Sequence, residues 1–251
     1  MHRNPDHIVK AFDQELEGLG AIIGRMGGLV EAQLAGAIEA LTRRDTELAG
    51  RVIEGDSEID ALEEQLDEAA IRLLALRQPM ADDLRQVIAA LRISSDLERI
   101  GDYAANIAKR TIAISRIAPV PAASAVPRMA RLVQAIIKDT LDAYAARDAE
   151  RAIDVWHRDE EVDAMYTALF RELLTYMMED PRNISSSTHL LFIAKNIERM
   201  GDHATNIAET IHYLVTGKRL AGGRPKGDTT SFQVFEPPDS DEPAGDPGGG
   251  Q

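Results

Sequence analysis

A fifteen-residue stretch beginning at Asp96, DLERIGDYAANIAKR, returns 100 residues later at Asn196 as NIERMGDHATNIAET. Ten of the fifteen positions are identical or closely similar, E-R-x-G-D and N-I-A among them. The likeness extends upstream, where RRDTELAGRVIEGDSEIDA aligns with ARDAERAIDVWHRDEEVDA at an offset of 103. That alignment pairs Asp45 with Asp148, Asp56 with Asp159 and Asp60 with Asp163, and further on Pro79 pairs with Pro181. An offset that drifts by only three residues across the unit means one folding unit built twice.

Proline shows what the unit is made of. The chain has 11 prolines: Pro5, Pro79, Pro119, Pro121, Pro127, Pro181 and five from Pro225 to Pro247. Proline lacks the N–H and clashes with the preceding turn, so it ends helices; the intervals between these prolines read as long helices. Apolar residues recur at helical spacing: Ile59, Leu62, Leu66, Ala69 and Leu73; Ile93, Leu97, Ile100, Ala104 and Ile107; Ile193, Ile197, Met200, Ala204 and Ile207. Period-2 alternation is absent before residue 218, which argues against a sheet. Asp45 and Asp148 open their helices as N-caps, accepting from free N–H groups of the first turn. The spacing predicts six helices, at about 6–43, 46–77, 81–116, 127–146, 149–178 and 185–217. A single such helix cannot hide its apolar stripe, but three antiparallel ones can. The expected fold is all-α: two tandem, pseudo-symmetric three-helix bundles over residues 1–118 and 119–218. Residues 219–251 are rich in Gly, Pro, Asp and Ser and are expected to form a disordered acidic tail. Its SFQVF run reads as part of a flexible appendage rather than a docking segment.

Composition removes several functions. With 42 Asp and Glu against 28 Lys and Arg, the formal charge is −14, the wrong sign for displacing counterions from nucleic acid or for docking on anionic lipid. The absence of Cys excludes disulfides, thiolate-ligated metals and a thiol nucleophile. No apolar run approaches the ~18 residues that span a bilayer, and the opening MHRNPDHIVKAFDQ lacks the apolar core of a secretory signal. A cytoplasmic protein is expected.

The residues that call for chemistry are carboxylates. In the third helix of each unit, acids stand four apart: Glu98 and Asp102, then Glu198 and Asp202. In the second helix Asp56 and Asp60, then Asp159 and Asp163, repeat the spacing. Asn106 and Asn206 extend the third-helix rows by another four residues. A spacing of four stacks side chains on one helix face. Glu98 and Asp102 fall away from the Leu97 stripe, toward a groove or solvent. If the second and third helices pack side by side, the two acidic rows face each other. Like charges at this spacing cost about 0.2–0.5 kcal/mol per pair, and four that converge raise one another's pKa. A hard cation relieves the repulsion, and oxygen donors suit Mg²⁺, Ca²⁺, Mn²⁺ or iron. Gly101 and Gly201 precede the second acid of each motif, and glycine inside a helix costs about 1 kcal/mol, which points to a close neighbour there. One such acidic pair is ordinarily a solvated surface; recurrence on two helices, twice over, favours a site. Arg99 and Arg199, inside the motifs, read as partners in ion pairs within their own unit. His203 replaces Tyr103 between the units and reads as a surface or packing residue, and Trp156 as core or interface.

Other chemistry lacks its signature. There is no G-x-x-x-x-G-K-[ST] loop, no G-x-G-x-x-G and no G-x-S-x-G, and no local pattern supports Ser-His-Asp catalysis. A ferritin-like di-iron site needs two Glu-x-x-His pairs, and only Glu209 with His212 fits, without a counterpart in the first unit.

The doubled LERIGD-like and IERMGD-like motifs, each followed by N-I-A, resemble the PhoU family of phosphate-signalling regulators. So do RQPMADDLRQVIAALRISS and the opening FDQELEGLGAIIGRMGGLVEAQLAGAIEAL. The resemblance runs over residues ~5–217 and implies two similar three-helix bundles. It implies iron or zinc clusters held by E/D-x-x-x-D motifs, with Asp56, Asp60, Glu98 and Asp102 as ligands in the first unit. In the second unit the implied ligands are Asp159, Asp163, Glu198 and Asp202. It also implies a cytoplasmic, non-enzymatic negative regulator of the phosphate-starvation response, a homodimer in several members. The implied partners are the ATPase subunit of a phosphate ABC transporter and a sensor histidine kinase, through which the protein would sit peripherally at the inner membrane. The acidic tail is outside the usual pattern. The competing readings are a metal-dependent phosphohydrolase, using paired cations to activate water, and a plain helical protein with solvated acidic faces.

Overall fold

The computed structural model describes residues 5–220, with side chains from Phe12 onward. The tail and its SFQVF run, from residue 221 on, lie outside the described residues. The chain forms α1 (Pro5–Arg43), α2 (Thr46–Arg77), α3 (Asp82–Ile114), α4 (Val126–Ala146), α5 (Ala149–His157), α6 (Asp159–Glu179) and α7 (Ile184–Thr216), with short 3-10 turns at Pro121–Ala125 and Pro181–Asn183. Among the described residues there is no strand.

The breaks fall where local chemistry puts them. Asp45 Oδ1 accepts from the N–H groups of Glu47 and Leu48 at 3.0 and 2.9 Å. Asp148 Oδ1 accepts from that of Arg151 at 3.0 Å. Just before each cap, Arg44 and Arg147 are left-handed (φ 57° and 51°). The next N–H in each case turns back to close the preceding helix, Asp45 to the Ala40 carbonyl and Asp148 to that of Ala143. The Arg44 side chain also closes a second helix. Its guanidinium donates to the Ile114 carbonyl at 2.6 Å and to that of Ile117, covering the end of α3.

The helix expected over 149–178 is interrupted at Arg158. Its N–H bonds three residues back to the Val155 carbonyl at 3.0 Å, and its guanidinium is drawn to Asp139 Oδ2 of α4 at 2.7 Å. Asp159, Glu160 and Glu161 then form the first turn of α6, where negative charge suits the exposed N–H groups. α5 and α6 together take the place of α2, so the two-bundle plan is kept.

α1, α2 and α3 make the first bundle, and α4, α5/α6 and α7 the second, with α3 and α7 packed along each other at the centre. They run antiparallel: Arg85 meets Tyr213, Asp96 meets His203, and Arg110 meets Phe192. The expected stripes are buried, Ile93, Leu97, Ile100, Ala104 and Ile107 on α3 and Ile193, Ile197, Met200, Ala204 and Ile207 on α7. Each large side chain so buried contributes roughly 1.5–3 kcal/mol. On α2, Ala70 rather than Ala69 is the buried alanine. Trp156 is core, with its indole N–H donated to Glu209 Oε1 of α7 at 2.8 Å. That bond commits Glu209 to packing, and His212 Nδ1 lies 3.0 Å from the Lys218 carbonyl, so the lone Glu-x-x-His pair has structural partners.

Candidate metal centre

α2 packs beside α3 and brings Asp56 and Asp60 within electrostatic reach of Asp102 and Glu98. Gly101 permits the approach: a Cβ there would stand 2.8 Å from Ile59 Cδ1 and 3.4 Å from Asp56 Oδ1. Burial first, and then the charges of Asp102 and Asp60, raise the Asp56 carboxyl above its ordinary range. Burial, followed by the charge of Asp102, pushes Glu98 up to about 7 against the pull of Arg99, with Glu63 and Asp60 adding to the rise. Arg99 folds over its own motif, Nη1 3.0 Å from Asp102 Oδ2 and Nε 3.4 Å from Glu98 Oε2. This is the ion pair within one unit that its position suggested.

Glu63, on α2 one turn beyond Asp60, belongs to this group although comparison of the units does not single it out. It is half-buried. Burial and the charge of Asp67 raise its carboxyl, while Arg99 and the Ser95 hydroxyl lower it. Its aligned counterpart is Tyr166. The available signal was the row Asp56, Asp60, Glu63, continuing one helix face at spacings of four and three.

The second cluster is drier. Asp159, Asp163 and Glu198 are 2%, 3% and 4% exposed, whereas their first-unit counterparts are half-buried (Asp56 and Glu98) or exposed (Asp60). The break at Arg158 starts α6 at Asp159, whose Oδ1 accepts from the Thr205 hydroxyl of α7 at 3.3 Å. Lys195, where the first unit has Ser95, places Nζ 2.8 Å from Glu198 Oε1 and 4.8 Å from the centroid of the Tyr166 ring. Glu198 Oε2 is buried and meets no hydrogen-bond donor. Burial pushes Glu198 up to about 7; the Lys195 hydrogen bond opposes the rise, and Asp202 and Asp163 add to it. At Gly201 an added Cβ would meet Val162 and Val133 at ordinary contact, 3.5–3.8 Å, so the close approach expected of both glycines occurs at Gly101.

Arg199 departs from expectation. Its guanidinium stands 5.9 Å from the centroid of the Tyr103 ring, in the other unit. Tyr103 and His203, equivalent in the two units, lie together at the seam with ring centroids 5.6 Å apart. Asp96 Oδ1 is 2.8 Å from His203 Nδ1 and 3.5 Å from the Asn206 amide nitrogen, so Asn206 reaches the seam. Asn106 is half-buried.

The donors are hard oxygens, they crowd one another electrostatically, and one buried oxygen is orphaned. These features fit a divalent cation. As placed, no three acidic or imidazole groups among the described residues converge closely enough to enclose one. Short carboxylates on rigid helices would have to change rotamer to share an ion.

The profile of the PhoU domain matches this chain twice, at residues 23–111 and 126–211. The phosphate-specific transport system accessory protein PhoU homolog of Caulobacter vibrioides is 54% identical over 227 residues, 90% of this chain and 99% of the relative. The homolog of Rhizobium meliloti is 53% identical over 226 residues, 90% of this chain and 95% of the relative. The crystal structure of PhoU from Pseudomonas aeruginosa superposes with a TM-score of 0.80 at 43% identity, covering 82% of this chain and all of that one. The phosphate transport system regulatory protein PhoU from Streptococcus pneumoniae superposes with a TM-score of 0.78 at 33% identity, covering 83% of this chain and 99% of that one. The chain belongs to the PhoU family, whose proteins are regulatory and not catalytic.

Proposed function

We propose that this chain is a metal-binding adaptor in phosphate regulation. It would link the ATPase subunit of a phosphate ABC transporter with a sensor histidine kinase and repress the phosphate-starvation response. Family membership supports the phosphate role, and the relatives are named as accessory and regulatory proteins of phosphate transport. The metal part is carried by one observation. In the second unit the buried Glu198 keeps an oxygen without a donor while the charges of Asp202 and Asp163 act on it.

Asp56, Asp60, Glu98 and Asp102 would hold one ion or cluster, and Asp159, Asp163, Glu198 and Asp202 the other. Iron and zinc are the family's expectation; Mg²⁺, Mn²⁺ and Ca²⁺ suit the same oxygens. Bound metal would supply positive charge that lets the acids stay ionised at close quarters and fixes α2 against α3 and α6 against α7. A surface so fixed favours one partner state over another by differential affinity. No described helix is long and apolar enough to cross a membrane. The adaptor is assigned to the cytoplasm, held at the inner membrane by its partners, and acts as a homodimer.

The test is affinity capture of the tagged full-length protein from phosphate-replete and phosphate-starved cells. Recovery of a transporter ATPase or a histidine kinase, changing with phosphate supply, supports the adaptor. Recovery of neither in both conditions contradicts it.

A further inference from the structure

The two units hold their motif acids against different cations. In the first, Arg99 lies over Glu98 and Asp102. In the second, Lys195 holds Glu198 from the position that is Ser95 in the first unit. The motif arginine of the second unit, Arg199, stands across the seam over Tyr103. Two equivalent positions, Arg99 and Arg199, therefore show different placements. They differ with whether a separate cation already sits on the motif glutamate.

We propose that Arg99 is a displaceable cation of the first cluster, released from Glu98 and Asp102 when a divalent metal ion enters and turning toward the seam as Arg199 does. The inference rests on the metal-binding reading above. A guanidinium and a metal ion compete for the same carboxylate lone pairs, and both do not fit on Asp102 Oδ2 at 3.0 Å. The Arg99 side chain is 55% exposed, so it can swing out without breaking the core. The seam also offers it a place. The repeat equivalent of Tyr103, over which Arg199 stands, is His203, and the two rings lie 5.6 Å apart. Arg99 at that place would bring a positive charge beside the His203–Asp96 contact. Metal occupancy of the first cluster would then be felt where α3 meets α7. In the second cluster the Lys195 ammonium already acts as resident cation, and Arg199 has no such change to make.

The experiment is calorimetric titration of Zn²⁺ into chelator-stripped, full-length protein, as wild type and as Arg99→Ala, Arg99→Gln, Arg199→Ala and Glu98→Gln/Asp102→Asn. Side-chain NMR of the Arg99 Nε–H group runs alongside. Removing the competitor should tighten the first site about three- to tenfold in both Arg99 variants and leave it unchanged in Arg199→Ala. In wild type the Arg99 Nε resonance should shift on Zn²⁺ addition. Equal or weaker binding in both Arg99 variants, or an unmoved resonance with the site filled, overturns the inference while leaving the metal reading intact. If Glu98→Gln/Asp102→Asn takes up Zn²⁺ as wild type does, the metal reading of the first cluster falls and the inference falls with it.

Discussion

His203 Nδ1 of α7 lies 2.8 Å from Asp96 Oδ1 of α3, a polar contact between the two units at half-buried positions. Both residues stand at positions where the units differ inside their shared motif, His203 for Tyr103 and Asp96 for Asn196. Asp96→Ala and His203→Ala each remove one side of the pair. Each should lower stability by about 0.5–1.5 kcal/mol. A double-mutant cycle read by urea denaturation should return a coupling of the same order, and additive effects would show that the pair contributes nothing.

The two motif glycines should respond oppositely to alanine. At Gly201 the new methyl has ordinary contacts, so Gly201→Ala should stabilise by about 0.5–1 kcal/mol through helix propensity. At Gly101 it would press on Ile59, which is fully buried. Overpacking of about 1–3 kcal/mol should there cancel or exceed the gain. Thermal melts of the two variants check the contrast.

Stability of the metal-free protein should fall as pH rises through the range between 4.5 and about 7. Glu98 and Glu198 each hold their proton to about 7 when folded, against an ordinary 4.5. The folded state therefore binds more protons than the unfolded state across that window, and unfolding gains ground with pH until both groups are ionised. Urea denaturation in chelator at about pH 5 and about pH 8 measures the slope. Glu198→Gln, which cannot ionise, should make it shallower.

Trp156 is the sole tryptophan, so its fluorescence reports on the α5–α7 contact. Trp156→Phe keeps an aromatic ring but loses the bond to Glu209, and should cost about 1–3 kcal/mol because a carboxylate acceptor is left without its donor. Glu209→Gln retains an acceptor and should cost less. Denaturation followed by circular dichroism compares the two.

The helices were legible because proline, Asp caps and apolar stripes are local signals, and the paired acids because they recur. What the repeat concealed is where the units diverge. Glu63 and Lys195 have Tyr166 and Ser95 as counterparts, and a search for shared residues passes over both, although they set the charge of their clusters. The break at Arg158 was hidden for another reason. No Gly or Pro marks it, and the ion pair found at it runs to Asp139 of a different helix. The meeting of Arg199 with Tyr103 likewise needed the knowledge that α3 and α7 lie side by side, which periodicity alone does not supply.

The most direct measurement is metal content by elemental analysis after equilibration with zinc or iron and removal of the excess. It compares wild type with a variant in which Asp56, Asp60, Glu98, Asp102, Asp159, Asp163, Glu198 and Asp202 are all alanine, its helical fold confirmed by circular dichroism. Carboxylate-held metal predicts bound ions in the wild type and their loss in the variant, with partial loss when either set of four is changed alone. Equal metal in the folded eightfold variant and in wild type would contradict it.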